Sequence, residues 1–319
     1  AVIGLATLVV FYMLCRSVFG RRPAVFATLM LAYSVWHLGY SSLALPLATF
    51  LLLELLGVTA LLVGLAETRN RVVRRRLLVL AAMAIGSSVY FHNSFFILAI
   101  AIVVVWAREW ILRDDAFSST PGGGKVFLIV MAAIVVPYLL VLALNAGDVW
   151  DQTRSVWISR SLEFQETNGF IEHSHHVLVN IVSTVSSLLW IGEGLGRLLD
   201  PITGLLATLG LLVGLRHLDD LRHTFLWALF SSAVLAGSLT VEHGSHTRLM
   251  VAVPAIFAYA GFALHWFLSW MEGRTPRLLQ GGLVVALFIL LVLYNLTSYY
   301  DQSMPRTGFW ETIPMGTTS

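Results

Sequence analysis

Histidines and carboxylates crowd into a few short polar stretches of an otherwise apolar chain. Glu172-His173-Ser174-His175-His176 gathers imidazoles and a carboxylate, the ligand types that zinc or manganese takes and equally the groups that contact a phosphate. On a helix His173 and His176 share a face at i, i+3, whereas a loop presents either pair, and an ordinary hydrated loop uses the same residues. A second stretch, Glu242-His243-Gly244-Ser245-His246-Thr247-Arg248, stands directly before the apolar run that starts at Leu249. A guanidinium there can fork onto a phosphate at headgroup depth; the plainer reading is an interfacial anchor, with His243 and His246 as turn residues. His92 and Asn93 sit in Phe91-His92-Asn93-Ser94, a tight bend between two apolar runs. Trp36-His37 and Tyr40-Ser41 could line a substrate entrance, although aromatic-belt placement explains them as simply. Glu54 lies near the middle of an apolar run, where a charged carboxylate is expensive; a protonated, helix-pairing Glu and a functional one both fit.

These groups have to be positioned by helices in a membrane. Of 319 residues 57% are hydrophobic and 12% charged, and apolar runs reach the length needed to cross about 30 Å of hydrocarbon. Lipid-exposed backbone must satisfy its own hydrogen bonds, so the expected fold is all-α, a polytopic transmembrane bundle of about ten helices. The runs fall at about 1–15, 24–41, 46–66, 77–91, 94–107, 126–144, 199–215, 224–241, 249–270 and 279–297. The short fourth and fifth runs suggest one bent hairpin around His92. Residues 1–144 then form N-terminal transmembrane helices, 145–198 an extracytoplasmic loop, 199–298 C-terminal transmembrane helices and 299–319 the start of an extracytoplasmic tail. Val177 to Trp190 reads as an interfacial helix or an eleventh span.

Alternate loops carry 15 and 5 of the lysines and arginines. By the positive-inside rule the first set is cytoplasmic, which suits a multi-pass protein of the cell (plasma) membrane. The outer side then holds seven of the ten histidines, His37, His92, His173, His175, His176, His243 and His246, together with Asp148, Asp151, Glu163, Glu166, Glu172, Glu193, Asp200 and Glu242. Chemistry is expected at that face. Arg69 to Arg76, the densest basic run, reads as a stop-transfer signal on anionic headgroups. A net charge of +2 with scattered arginines argues against nucleic acid as a partner, and a lone cysteine, Cys15, excludes an internal disulfide. There is no Walker motif, Rossmann glycine pattern, HExxH or internal repeat.

Several stretches in order resemble the integral-membrane type C glycosyltransferases, in particular the relatives of protein mannosyltransferases and of the lipid A aminoarabinose transferase. Phe11 to Ala24 is similar to the family's second helix, cytoplasmic turn and third helix. Tyr33 to Pro46 is similar to its outer turn, with Leu45 where an arginine is common. Ala84 to Ser94 falls where relatives carry a Gly-Leu-Ala-x-Leu-Thr-Lys-like stretch, His92-Asn93 replacing Thr-Lys. Arg248 followed by Pro254 resembles the Arg-Tyr-x-x-x-x-x-Pro start of a late helix, and Asn295 to Tyr300 the junction into an extracytoplasmic domain.

The resemblance implies transfer of a sugar from a polyprenyl-phosphate donor to a lipid, glycan or protein acceptor on the extracytoplasmic face, among membrane lipids. With such a donor, the polar stretches above make Arg248, His243, His246, His92, Asn93, His37, His173, His175 and His176 the expected substrate contacts, with the role of His92-Asn93 left open, no assigned metal ligand, and a divalent metal as an open question. The resemblance also implies an acidic residue in a first outer loop as general base or metal partner. Ala1 begins inside an apolar run without an initiator Met, so that loop and the helix before it are expected upstream of this fragment. A transporter or lipid flippase is the alternative class, disfavoured by the absence of paired Gly/Pro-broken helices in two matching halves; a non-catalytic membrane scaffold is a third.

Overall fold

The computed structural model describes residues 1–42, 46–66, 70–112, 123–147, 170–189, 199–239 and 249–303, and among them every regular element is helical. Helix α1 (Val2–Phe19) turns into α2 (Arg21–Tyr33) at Gly20, whose φ of 89° is cheap only for glycine. There follow α3 (Val35–Ser42), α4 (Pro46–Ala66), α5 (Arg71–Ser88), α6 (Phe95–Leu112), α7 (Gly123–Leu144), α8 (Phe170–Leu189), α9 (Pro201–Gly214), α10 (Leu221–Ser238), α11 (Val253–Met271) and α12 (Arg277–Ser303). Short 3-10 turns extend α9 at Leu215–His217 and precede α11 at Leu249–Ala252.

Five stretches are long and apolar enough to cross a bilayer: Val2–Phe19, Pro46–Ala66, Gly124–Leu144, Leu249–Met271 and Arg277–Tyr300. The chain is an integral membrane protein. Burial sorts these five by place in the bundle. Pro46–Ala66 and Leu249–Met271 are 67% and 72% buried and form its centre, whereas Gly124–Leu144 and Arg277–Tyr300, 6% and 11% buried, turn apolar side chains outward to lipid. Neighbours run α7, α5, α4, α1, α2, α11, α9 in succession; α10 packs on α11 and carries α6, and α12 rests on α2 and α3.

Small residues bring the central backbones together, as expected where van der Waals contact and not water release drives association. A Cβ on Gly210 of α9 would lie 2.0 Å from the Tyr259 carbonyl oxygen of α11, and one on Gly261 of α11 would lie 2.6 Å from Ala27 and the Pro23 carbonyl oxygen of α2.

All the described lysines and arginines, from Arg16 to Arg277, fall at one end of the bundle, called here the Gly20 end. Arg22 pairs with Glu272 there at 3.0 Å, and Arg108 donates to the carbonyls of Leu218 and Asp219. The start of α1, all of α3, the α5–α6 turn and the 3-10 turn before α11 gather at the opposite, α3 end. Helix α8 lies across that rim: the Asn180 amide donates to the Ser238 carbonyl at the end of α10, and a Cβ on Gly204, one turn into α9, would strike the Leu189 carbonyl oxygen.

The structure corrects the expected segments in three places. The run 24–41 is two helices, because Ser34 takes an extended conformation (φ −67°, ψ 140°), donates its hydroxyl to the Leu31 carbonyl and accepts from the His37 N–H, ending α2 and capping α3. Helix α5 starts six residues before the expected run, capped by the Asn70 side chain, which accepts from the Val72 and Val73 N–H groups. Finally, α5 and α6 do bend at 89–94 but are not packed as a hairpin: α5 lies on α4 and α7, α6 on α10.

Candidate functional site

The α3 end collects those sequence candidates that are described. His37 is buried at 6% exposure on α3, its Nε2 3.4 Å from Ser41 Oγ, and Ser41 packs so close to α1 that a Cβ on Gly4 would lie 2.5 Å from its hydroxyl oxygen. That burial lowers the His37 pKa from the ordinary 6.5 to about 4. Between those values the unfolded chain binds the proton that the folded protein refuses. Stability from this group is therefore complete above about pH 6.5 and is lost as pH falls toward 4. His37→Gln is expected to flatten this acid-side loss; unfolding midpoints in detergent from about pH 7 to about pH 4 measure it, and parallel curves for the two proteins would discount His37 as its source.

His92 and Asn93 form the α5–α6 turn. His92 Nδ1 accepts the Ser94 N–H at 3.0 Å and lies 2.7 Å from Ser94 Oγ, which places the neutral ring's proton on Nε2, while the ring meets Phe50 of α4 edge-on at 5.7 Å. Asn93 Oδ1 accepts from the Tyr138 hydroxyl of α7 at 3.3 Å, and the Tyr90 hydroxyl donates to the Ile134 carbonyl. The bend is thus braced from two helices, with Asn93 exposed.

His173, His175 and His176 belong to the first turns of α8, so the helical alternative holds and His173 and His176 share a face. His175 is exposed, its ring 6.3 Å from that of His176. Among the described residues no three His, Cys, Asp or Glu side chains gather into a metal-ligating group. The candidates therefore stand at three places on the rim: beside α1, at the α5–α6 turn, and at the start of α8. Arg248, His243 and His246 lie outside the described residues. Leu249, the next residue after Arg248, is fully buried and lines a small apolar pocket with Trp36 of α3, Leu188 of α8, Leu199, and Val253, Ile256 and Phe257 of α11. Trp36 Nε1 is buried there without a hydrogen-bond acceptor among the described residues.

The sequence reading placed Asp200 among the outer carboxylates but missed the network that it forms at this end. Asp200, 2% exposed, caps α9: its Oδ1 accepts the Thr203 N–H (2.8 Å) and its Oδ2 accepts the Thr203 hydroxyl (2.7 Å) and the Asn295 amide of α12 (3.0 Å). Asn295 Oδ1 accepts in turn from the Val35 N–H at the start of α3 (3.4 Å). An Asp before Pro201 with Thr three residues on is a helix-start signal, so the cap was findable; the partner on α12 was not. Asp200→Ala removes the cap and leaves the buried Asn295 amide short of an acceptor, an expected cost of about 2 to 4 kcal/mol. Asp200→Asn, which keeps one acceptor, is expected to cost less in the same thermal-unfolding comparison. Glu54 is fully buried within α4, with no hydrogen-bond partner for either carboxylate oxygen among the described residues.

No protein-family profile and no curated protein matches the sequence. Solved structures do match its fold. ArnT from Cupriavidus metallidurans bound to undecaprenyl phosphate aligns with a TM-score of 0.52 at 19% identity, over 83% of this chain and 44% of that one. The Archaeoglobus fulgidus oligosaccharyltransferase complex with zinc and sulfate aligns with a TM-score of 0.58 at 14% identity, over 94% and 40%. The oligosaccharyltransferase AglB of the same organism, in complex with an inhibitory peptide and a dolichol-phosphate, aligns with a TM-score of 0.53 at 12% identity, over 94% and 43%. The chain therefore shares the helical membrane fold of these solved structures and spans less than half the length of each of the three.

Proposed function

We propose that the protein is the membrane region of a glycosyltransferase that moves a sugar from a polyprenyl-phosphate donor to a lipid, glycan or protein acceptor at the α3 end. The observation that carries this reading is the shared fold with two transferases, one solved with undecaprenyl phosphate and one with dolichol-phosphate. The α3 end supports it as the reaction face. There, described histidines and a braced Asn93 surround the rim, and the segment ending in Arg248 leads into the buried Leu249.

In this reading Arg248, His243 and His246 hold the donor phosphate, whose negative charge grows as the glycosidic bond breaks. His92, Asn93 and His37 line the approach and orient the sugar; His173, His175 and His176, on α8 across the rim, contact donor or acceptor. Residues 1–144 and 199–298 would be two groups of membrane helices, with 145–198 and 299–319 extracytoplasmic. Incubating the full-length protein in nanodiscs with radiolabelled polyprenyl-phosphate sugars and membrane acceptors tests the activity. Label appearing in an acceptor, dependent on the lipid donor, is the expected result; no transfer from any such donor to any acceptor class would overturn the reading.

The sidedness it requires follows from the gathering of cations at the Gly20 end, which the positive-inside rule assigns to the cytoplasm of a cell with this protein in its plasma membrane. Val72→Cys, exposed on α5, is expected to stay unlabelled by an impermeant thiol reagent in intact cells and to label after lysis. The native Cys15 is fully buried and gives little background. Labelling in intact cells would invert the map.

A further inference from the structure

The first turns of α5 carry more positive charge than the fold itself has use for. Arg71, Arg74, Arg75 and Arg76 fall within the first six residues of the helix, at the positive end of its dipole, with no acidic residue in the first turn. Arg71 and Arg75 stand at i, i+4, where like charges repel. Among the described residues none of the four forms an ion pair, and Arg74 Nε is buried with no hydrogen-bond partner. An anion at this place would relieve the repulsion, complement the dipole and pair guanidiniums.

The surface there has the shape of a particular kind of anion. Arg71, Val72, Arg75, Arg76, Val79, Leu80 and Met83 line one open groove, and their spacing makes it a continuous stripe along a single face of α5. Three guanidiniums form its Gly20 end; three apolar side chains continue it toward the middle of the bundle, with Leu80 and Met83 38% and 50% exposed. The opposite face of α5, through Leu78, Ala81, Ala82 and Ile85, is buried in the core. Fixed cations leading into an exposed apolar track complement an amphiphile with an anionic head and an acyl chain.

We propose that this groove is a binding site for an anionic glycerophospholipid, its phosphate held by Arg71, Arg75 and Arg76 and an acyl chain laid along Val79, Leu80 and Met83. The site lies at the end of the bundle opposite the proposed reaction site and does not depend on it. Bidentate guanidinium contacts hold the head, and the apolar track distinguishes a lipid from a soluble phosphate.

Native mass spectrometry of the purified full chain with added phosphatidylglycerol, phosphatidylcholine or soluble glycerophosphoglycerol tests it. Wild type is expected to retain phosphatidylglycerol at least about tenfold over phosphatidylcholine, with R71Q/R75Q/R76Q binding it about a hundredfold more weakly. Because those charges can also direct insertion, R71K/R75K/R76K keeps the charge and removes the fork; it is expected to insert normally and to bind several-fold more weakly. Leu80→Asn with Met83→Asn is expected to weaken the lipid while leaving the weak binding of glycerophosphoglycerol unchanged. Equal retention of phosphatidylcholine, undiminished binding by the lysine variant, or full displacement of the lipid by glycerophosphoglycerol would each overturn the proposal.

Discussion

Arg248→Ala is expected to lose most transferase activity, by about 2 to 4 kcal/mol of transition-state stabilisation, while the protein still folds. The expectation rests on the proposed function and on the chemistry of the leaving group. When the sugar departs, the polyprenyl phosphate gains negative charge, and a contact that strengthens at that moment lowers the barrier without tightening ground-state binding equally. A guanidinium stays charged at any working pH and offers paired donors to two phosphate oxygens; a lysine keeps the charge and gives up the fork. Arg248→Lys should therefore retain partial turnover. An anchoring role predicts a different pattern, in which both substitutions lower the yield of inserted protein and neither changes turnover per correctly inserted molecule. Turnover and donor affinity measured on purified full-length variants separate the two, and an Arg248→Ala protein with wild-type values for both would remove this residue from the site.

Gly210→Val is expected to destabilise the bundle by at least about 3 kcal/mol and to cost most of the correctly assembled protein. The α9–α11 contact is among the most extensive in the fold, and it depends on a backbone approach that leaves no room for a Cβ beside the Tyr259 carbonyl. A valine would push apart two helices whose facing surfaces are otherwise closed by Ala207, Leu211 and Tyr259, all buried. Interiors of this density relax only partly, so the strain spreads to the neighbouring contact of α11 with α2 at Gly261. Gly282→Ala on α12 is the matched control, since a Cβ there meets nothing within 4 Å, and it is expected to be neutral or slightly stabilising through helix propensity. Thermal unfolding of the two variants in detergent, side by side, reads the difference. Similar midpoints would show that the contact yields more readily than its geometry implies.

The membrane class, the all-α architecture and the gathering of cations at one end were legible because each is written in composition and spacing: apolar runs for Leu249–Met271 and Pro46–Ala66, arginines in alternate loops, a polar bend at His92-Asn93. Helix ends within those runs were less so. Ser34 interrupts an apolar stretch with a single hydroxyl, and hydropathy averages over it; only its paired hydrogen bonds to Leu31 and His37 make it a break. Asn70 capped α5 ahead of four arginines that a hydropathy reading assigns to a loop. For the site, the residues were named but not their grouping. His37, His92 and His176 are 55 and 84 positions apart in sequence, so only tertiary packing decides where on the rim each one stands, and nothing in the spacing of His92 says that Tyr138 will brace its neighbour. Asp200 was visible as an outer-face acid, yet its link to Asn295 is a contact between residues 95 positions apart.

That link bears on how the chain is made. Val35, Asp200 and Asn295 share one buried network, and its first and last members are 260 positions apart in sequence. The amide of α12 is synthesised last. At ribosomal rates of about 5 to 20 residues per second, Asp200 waits roughly 5 to 20 seconds for the group that will bury it. During that interval the N-terminus of α9 and the start of α3 have their local hydrogen bonds and their packing on earlier helices, but not the amide that links them. Arrival of Asn295 closes both together. Closure of this network thus waits for α12, and a nascent chain stalled before α12 would leave the Asp200 carboxylate without the Asn295 amide that it accepts from in the folded protein.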